Sequence, residues 1–361
     1  MGREERKNLI DALQKERGGT RVVTYVTSTR PNLEVQMAMD VIPIFYRHLA
    51  AIDTTPAETK IDLFIHSNGG EGVVPWKLTT LMREFCSELN VLVPNRAFSA
   101  ATLTALGADE VLMHPMGMLG PTDPTVANDF NPPNERVPGQ VLGISVEDVR
   151  SYIELVKEDV GIGHEDEVVQ AFLALANKVH PLALGNVKRS TSQSRMMGEK
   201  LLRSRKREDL EAHEITQIIT QLTSELYYHG HPINRHEARD DLGLSFVKDP
   251  TPSVEKAMWS LFDAYAQEMR LDEPFQFIQE AISMAGVPAV PPMPAGVMPG
   301  MPMPPTLTVQ NTALPAMKTV YIESAERCDV METGFEVTVR RDPTGRIEGN
   351  AALVRQVWAT E

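Results

Sequence analysis

Ser99 and a diglycine about 30 residues before it are the residues of this chain best placed to do chemistry. Ser67-Asn68-Gly69-Gly70 closes the apolar run 60–66 (KIDLFIH). Asn95 to Ala101 (NRAFSAA) closes the next such run, 90–94 (NVLVP). Two successive glycines let backbone N–H groups face a site with no Cβ in the way. The small residues Ala97, Ala100 and Ala101 let the chain turn sharply beside Ser99. The helix expected after that turn presents its positive end to the serine, which favours negative charge there. A hydroxyl beside N–H donors suits acyl transfer, where one oxyanion donor is typically worth about 10²–10³ in rate. Serine before a helix is also a common N-cap, and Gly-Gly a common turn, so spacing alone leaves both readings open.

The other reactive side chains carry weaker patterns. His229, His231 and His236 have no carboxylate or thiol at a recognised metal-ligand spacing, so a loop is expected there. The basic run Arg203 to Arg207 reads as a solvated face. Neither a Gly-Lys-Ser/Thr phosphate loop nor a Gly-x-Gly-x-x-Gly sequence is present, so no nucleotide site is expected.

The elements that must position the serine follow from periodicity. Strands are expected at 21–28, 60–66, 90–94 and 110–114, with helices at 33–51, 74–89 and 97–107 between them. Strand–helix alternation at this spacing means a parallel sheet with crossover helices, whose carboxyl-end loops gather where ligands bind. Amphipathic helices are expected at 145–160, 165–179, 190–202, 214–228 and 254–284, the last interrupted at Pro274. Asn234 with Glu237 three residues on forms a capping box. Residues 286–305 are mostly Pro, Gly and Met and read as an extended linker. Beyond it, 318–323 and 335–341 alternate like strands. The domain reading is an amino-terminal helix (1–19), an α/β domain (20–285), the linker (286–305) and a small β-rich module (306–361).

Composition bounds the function. The 361 residues carry 35 basic and 49 acidic side chains, a net charge of −14. So acidic a chain lacks the footprint of a nucleic-acid binder. Two cysteines, Cys86 and Cys328, exclude a disulfide scaffold and a four-thiolate zinc site, and suit a reducing compartment. No apolar run reaches the ~20 residues of a membrane span and no signal-peptide core is seen, so a cytoplasmic protein is expected.

Three longer motifs carry a family resemblance: IDLFIHSNGG, then AFSAATLTALGADEVLMHPMGMLGPTDP, then PINRHEARDDLGL, with HPLALGNVKRS at 180–190. They are similar to the serine dehydrogenase proteinase family, which groups with Clp proteases, signal peptide peptidases and crotonases. The resemblance covers roughly residues 20–247. It implies a Clp/crotonase-like spiral of ββα units and a serine peptidase with Ser99 as nucleophile. It further implies Gly69, Gly70 and Ala100 as oxyanion donors, a polypeptide substrate, homo-oligomeric assembly and no metal or nucleotide cofactor.

The general base departs from the family. Thr122 or Asp123 stands where Clp proteases carry a histidine. In the helix that carries a lysine in signal peptide peptidases the single lysine is Lys157, about three turns beyond the matching position near Glu147. A Ser–Lys dyad of Ser99 with Lys157 is the expectation, with His114, at a strand end, as the alternative base. A second functional reading keeps the fold as an inactive oligomeric scaffold that recruits partners through its carboxy-terminal region. A third, acyl-thioester chemistry as in crotonases, leaves the serine without a part.

Overall fold

A computed structural model describes all residues except 1, 53–54, 127, 135–139, 208–209, 225–229, 289–307 and 342–345, and the side chains of 125–126, 145–147 and 308. The first half of the chain alternates as the periodicity predicts. In order it forms α1 (Arg3–Glu16), β1 (Arg21–Thr27), α2 (Val41–Ala51), β2 (Lys60–His66), α3 (Val74–Arg83), β3 (Glu88–Val93), the short β4 (Arg96–Ala97), α4 (Ala100–Leu106), β5 (Glu110–Met113) and β6 (Met118–Leu119). An arm follows, made of β7 (Thr125–Val126), β8 (Ile144–Ser145), α5 (Val146–Glu154), a π-helical turn (Leu155–Asp159) and α6 (Glu165–Ala176). The chain returns through α7 (Pro181–Arg203), α8 (Ala212–Ser224), a second π turn (Glu237–Asp241) and β9 (Val247–Lys248). It ends in α9 (Pro252–Met269), α10 (Phe277–Ala285), β10 (Thr308–Ala313), β11 (Met317–Glu323), β12 (Cys328–Arg341) and β13 (Ile347–Thr360).

One nine-stranded sheet organises these elements. Its order is β10-β12-β11-β1-β2-β3-β5-β9, with β13 on the other edge of β12. Neighbours from β1 to β9 run parallel, and β11 joins β1 antiparallel, Thr27 facing Val320. Both faces are buried, and the strands show it in period two. Val23, Tyr25, Ile61, Leu63, Ile65, Val91 and Val93 point into the core under α2, α3 and α4. Val22, Val26, Phe64 and Leu92 point to the opposite core with Ile10 and Leu13 of α1 and Met258 and Leu261 of α9.

Two departures from the periodicity matter. Residues 33–38 are extended rather than the start of a helix, because Met37 pairs with the diglycine: its N–H donates to Gly69 O at 2.8 Å and its carbonyl accepts Glu71 N–H at 2.9 Å. The carboxy-terminal residues do form strands, but these strands continue the main sheet through the β1–β11 pair. From residue 289 on, the expected linker lies outside the described residues. Asn234 caps as expected, its Oδ1 accepting the N–H groups of His236 and Glu237 at 2.9 and 3.1 Å.

Candidate active site

The strand β2 ends at His66, and the next four residues bend towards the end of β3. Two backbone bonds stitch the bends together: Ser67 N–H to Arg96 O and Phe98 N–H to Ser67 O, both 3.0 Å. Gly69 then lies against the serine turn. A Cβ there would sit 2.5 Å from Phe98 O, 2.8 Å from Ser99 Cβ and 2.9 Å from Ala100 N, and φ of +93° independently favours glycine. A Cβ on Gly70 would fall 2.2 Å from Met37 O.

Ser99 itself holds φ +52°, ψ −114°, a conformation sparsely populated by residues with a side chain. It sits between β4 and α4 as on a nucleophile elbow, where a sharp strand-to-helix turn lifts the side chain out of the backbone. Its carbonyl accepts Leu103 N–H at 3.0 Å to start α4, but its hydroxyl makes no capping bond. The N-cap reading is therefore set aside. Thr102, fully buried, pins the turn from below: its Oγ1 lies 2.7 Å from Ala97 O and accepts Gly120 N–H at 3.0 Å.

The half-buried Ser99 opens on a cavity of about 300 Å³. Its walls are Gln36, Asn68, Gly70 and Gly72 on one side and Thr122 and Pro124 on another, with Ala100 and Leu103 of α4 and Ser190, Gln193 and Ser194 of α7 completing them. Of the three expected oxyanion donors, Gly69 N–H is engaged by Ser67 Oγ at 3.0 Å. Gly70 and Ala100 both line the cavity, and among the described residues neither N–H has an acceptor. A parallel bridge explains the first: Met37 bonds to the residues flanking Gly70, so the Gly70 peptide groups point away from Met37. The second is the first N–H of a helix, which no earlier carbonyl can reach. With only seven residues, α4 offers that N–H rather than a long aligned dipole.

Neither candidate base lines the Ser99 cavity. Lys157 is exposed on the π turn after α5 and is absent from the cavity wall. His114 stacks on Trp259 with centroids 4.9 Å apart, its Nδ1 accepts Met116 N–H at 3.0 Å, and burial lowers its pKa. Thr122 lines the cavity, its carbonyl accepting the Ser194 hydroxyl at 2.6 Å. Among the described residues no titratable side chain lines the cavity. The described residues hold no cluster of three or more metal-ligating side chains; His229 lies outside them, and His231 Nε2 pairs with Glu237 at 2.6 Å.

Sequence reasoning missed several positioning residues. Ser67 and Thr102 sit in the quoted motifs, but only their buried contacts show their tasks. Arg96 holds Asn68 at the rim, Nη1 to Oδ1 3.3 Å, and lies over Phe98 with its guanidinium 5.6 Å from the ring centroid. A serine–histidine–aspartate set does exist elsewhere: His48 Nδ1 lies 3.2 Å from Ser324 Oγ and Nε2 3.0 Å from Asp329 Oδ2. His48 and Ser324 are fully buried, so no substrate reaches them, and burial pushes the His48 pKa down to about 4.

The sheet thus holds a strained serine and a diglycine together at one edge. Residues 3–137 match the family described as ClpP-like SDH-type serine proteinase, so the resemblance read from the motifs holds over that stretch. An uncharacterized protein of Methanocaldococcus jannaschii is 27% identical over 222 residues, 62% of this chain and 64% of its own length. A second from that organism is 36% identical over 78 residues, 22% of this chain and 27% of its own. This chain thus spans less than two thirds of either relative. Among solved structures, the 1510-N membrane-bound stomatin-specific protease, a serine-to-alanine mutant, matches 34% of this chain and 56% of its own, at 15% identity and a TM-score of 0.24. Among the described residues no single helix is long and apolar enough to cross a membrane.

Proposed function

We propose that the chain is a serine peptidase acting at Ser99 on extended polypeptide. The observation that carries this is the backbone of Ser99, held at positive φ with its hydroxyl unused by its own helix and open to a cavity. Structure keeps such strain where something requires it. As the Ser99 Oγ–C bond forms, the Oγ proton passes to the scissile amide nitrogen, and the substrate carbonyl oxygen, now negative, accepts the N–H groups of Gly70 and Ala100. The C–N bond then breaks, the amine departs with the proton, and water releases the acyl group from Oγ. The neutral polar wall of Gln36, Asn68, Ser190 and Gln193 suits peptide amides and uncharged side chains.

The test is labelling by a fluorophosphonate and hydrolysis of casein. Both are expected in the wild type and lost in Ser99→Ala; a folded wild type that shows neither removes the peptidase reading. One observation favours a second reading, the inactive scaffold: no described wall residue can accept the serine proton. It predicts full biological activity in Ser99→Ala.

A further inference from the structure

A second cavity, of about 330 Å³, lies where the β1–α2, α9–α10 and β10–β11 connections meet, and it shares no wall residue with the Ser99 cavity. Its apolar wall includes Leu33, Phe275 and Leu314, which belong to a small core with Val337 and Val339. Arg30 is the charged wall residue that the fold buries, at 3% exposed. Three bonds tie its loop to the α9–α10 connection: Phe275 N–H to Pro31 O at 2.8 Å, Asn32 Nδ2 to Phe275 O at 3.2 Å, and Arg30 Nε to Glu273 O at 2.6 Å. The guanidinium also lies over the Phe275 ring, 5.3 Å from its centroid. So held, it still has donors to spare. Among the described residues neither Nη1 nor Nη2 has a hydrogen-bond acceptor, and neither atom is sealed from solvent. Glu280 Oε1 stands 4.0 Å from Nη2, an ion pair without a hydrogen bond. The other two cations of the wall are met directly, Arg270 Nε by Glu273 at 2.7 Å and Lys318 Nζ by Glu268 at 3.2 Å. Burial, and then the charge of Arg270, lowers the Arg30 pKa, the behaviour of a cation short of an anion.

We propose that this cavity binds a monocarboxylate with an apolar body, the carboxylate bridging the two terminal nitrogens of Arg30 and the body resting on Leu33, Phe275 and Met317. A planar carboxylate fits a guanidinium fork bidentately, and a fork already fixed in place loses little freedom in binding it. The volume is that of a small-molecule site, and an apolar wall with few polar groups is the usual lining of one. The wall sets Arg30, Arg270 and Lys318 against Glu268 and Glu280, one positive charge in excess, which suits a single negative charge. A phosphate dianion would face both glutamates. Two sources carry the carboxylate chemistry: a free aliphatic or aryl acid, and the carboxyl terminus of a peptide that ends in an apolar residue. Binding here needs nothing from Ser99, so it stands or falls apart from the peptidase reading.

Methyl NMR of the full chain with labelled methionine tests the site, because Met269 and Met317 both line it and Met→Leu variants assign their signals. Phenylpropionate and N-acetyl-alanyl-leucine are the probes, each beside its own carboxamide. At least one acid is expected to shift both signals with a Kd of about 1 mM or below, and its carboxamide to bind about tenfold more weakly or worse. The tighter of the two acids names the source. Arg30→Gln should weaken that acid about tenfold with the circular dichroism unchanged, and Glu280→Gln, which removes the competing carboxylate, should tighten it about threefold. Should Arg30→Gln fail to fold, the acid–carboxamide difference in the wild type decides. Absence of any shift from either acid at about ten times the expected Kd overturns the proposal. Carboxamides that bind as well as the acids, a folded Arg30→Gln that binds normally, or weaker binding in Glu280→Gln overturn it too. Inorganic phosphate that shifts the same signals where the acids do not also overturns it and assigns the cavity to phosphate.

Discussion

Adding one methyl group at Gly69 should separate the fold from the site more cleanly than removing the nucleophile. An alanine there must hold φ near +93°, which costs an L-residue about 1–2 kcal/mol. Its Cβ would also stand 2.5 Å from Phe98 O and 2.8 Å from Ser99 Cβ, both in the turn that aims the hydroxyl. Overpacking of this kind typically costs about 1–3 kcal/mol, and here the relief is a shift of the serine turn away from Gly70. The sum is a loss of about 2–5 kcal/mol in stability together with about 10²-fold slower fluorophosphonate labelling, the scale of one misplaced oxyanion donor. Gly243→Ala is the matched control, because φ is +74° and no atom lies within 4 Å of the added Cβ. It should lose about 1–2 kcal/mol, the backbone cost alone, and label normally. Urea denaturation and labelling time courses on the three proteins decide the matter. Equal stability losses at the two glycines, or wild-type labelling in Gly69→Ala, would show that the diglycine and the serine turn are not in the contact described.

Ser99→Gly should abolish labelling yet raise the urea midpoint, by about 1 kcal/mol in stability, since glycine holds φ +52° without strain; a lower midpoint would refute the strained elbow. Acid should weaken the fold through His48 and His66, whose pKa values burial lowers from 6.5 to about 4 and about 3. The folded protein then binds fewer protons than the unfolded chain, so stability is complete above pH 6.5 and falls below it by up to about 1.4 kcal/mol per pH unit for each histidine. His48→Asn should flatten that slope in pH-dependent denaturation. Arg6→Met should cost about 3–5 kcal/mol by leaving Glu323 buried without the guanidinium now 2.8 Å away, and Arg6→Met with Glu323→Leu should regain most of it; thermal melts read both.

The sheet was legible because its strands are buried on both faces, so 60–66 and 90–94 stand out as unbroken apolar runs. Ser99 and Gly70 were legible as a pair because turn residues after successive parallel strands must meet at one edge. Residues 33–38 were not, since their apolar spacing suits a helix and only the distant Gly69 and Glu71 make them extended. The task of Gly69 also escaped notice: Ser67 Oγ takes its N–H, which no spacing rule foretells. The strands at 318–323 and 335–341 could be seen in alternation, but the partner of the first, β1, lies some 300 residues earlier. Lys157 was chosen as the single lysine of its helix, and its exposure is a tertiary fact.

The pairing of β1 with β11 has a consequence for how the molecule is made. While the chain is synthesised, β1 and β2 emerge early, yet one edge of β1 must wait for residues 317–323 before it is sealed. Through that interval a run of Val, Tyr and Thr offers unpaired N–H and C=O groups, the kind of template on which nascent chains stick to one another. Closing so long a loop is slow as well. Truncation after α10 should therefore yield inclusion bodies rather than a smaller soluble protein, and holding chaperones should matter most until residues 317–323 have emerged.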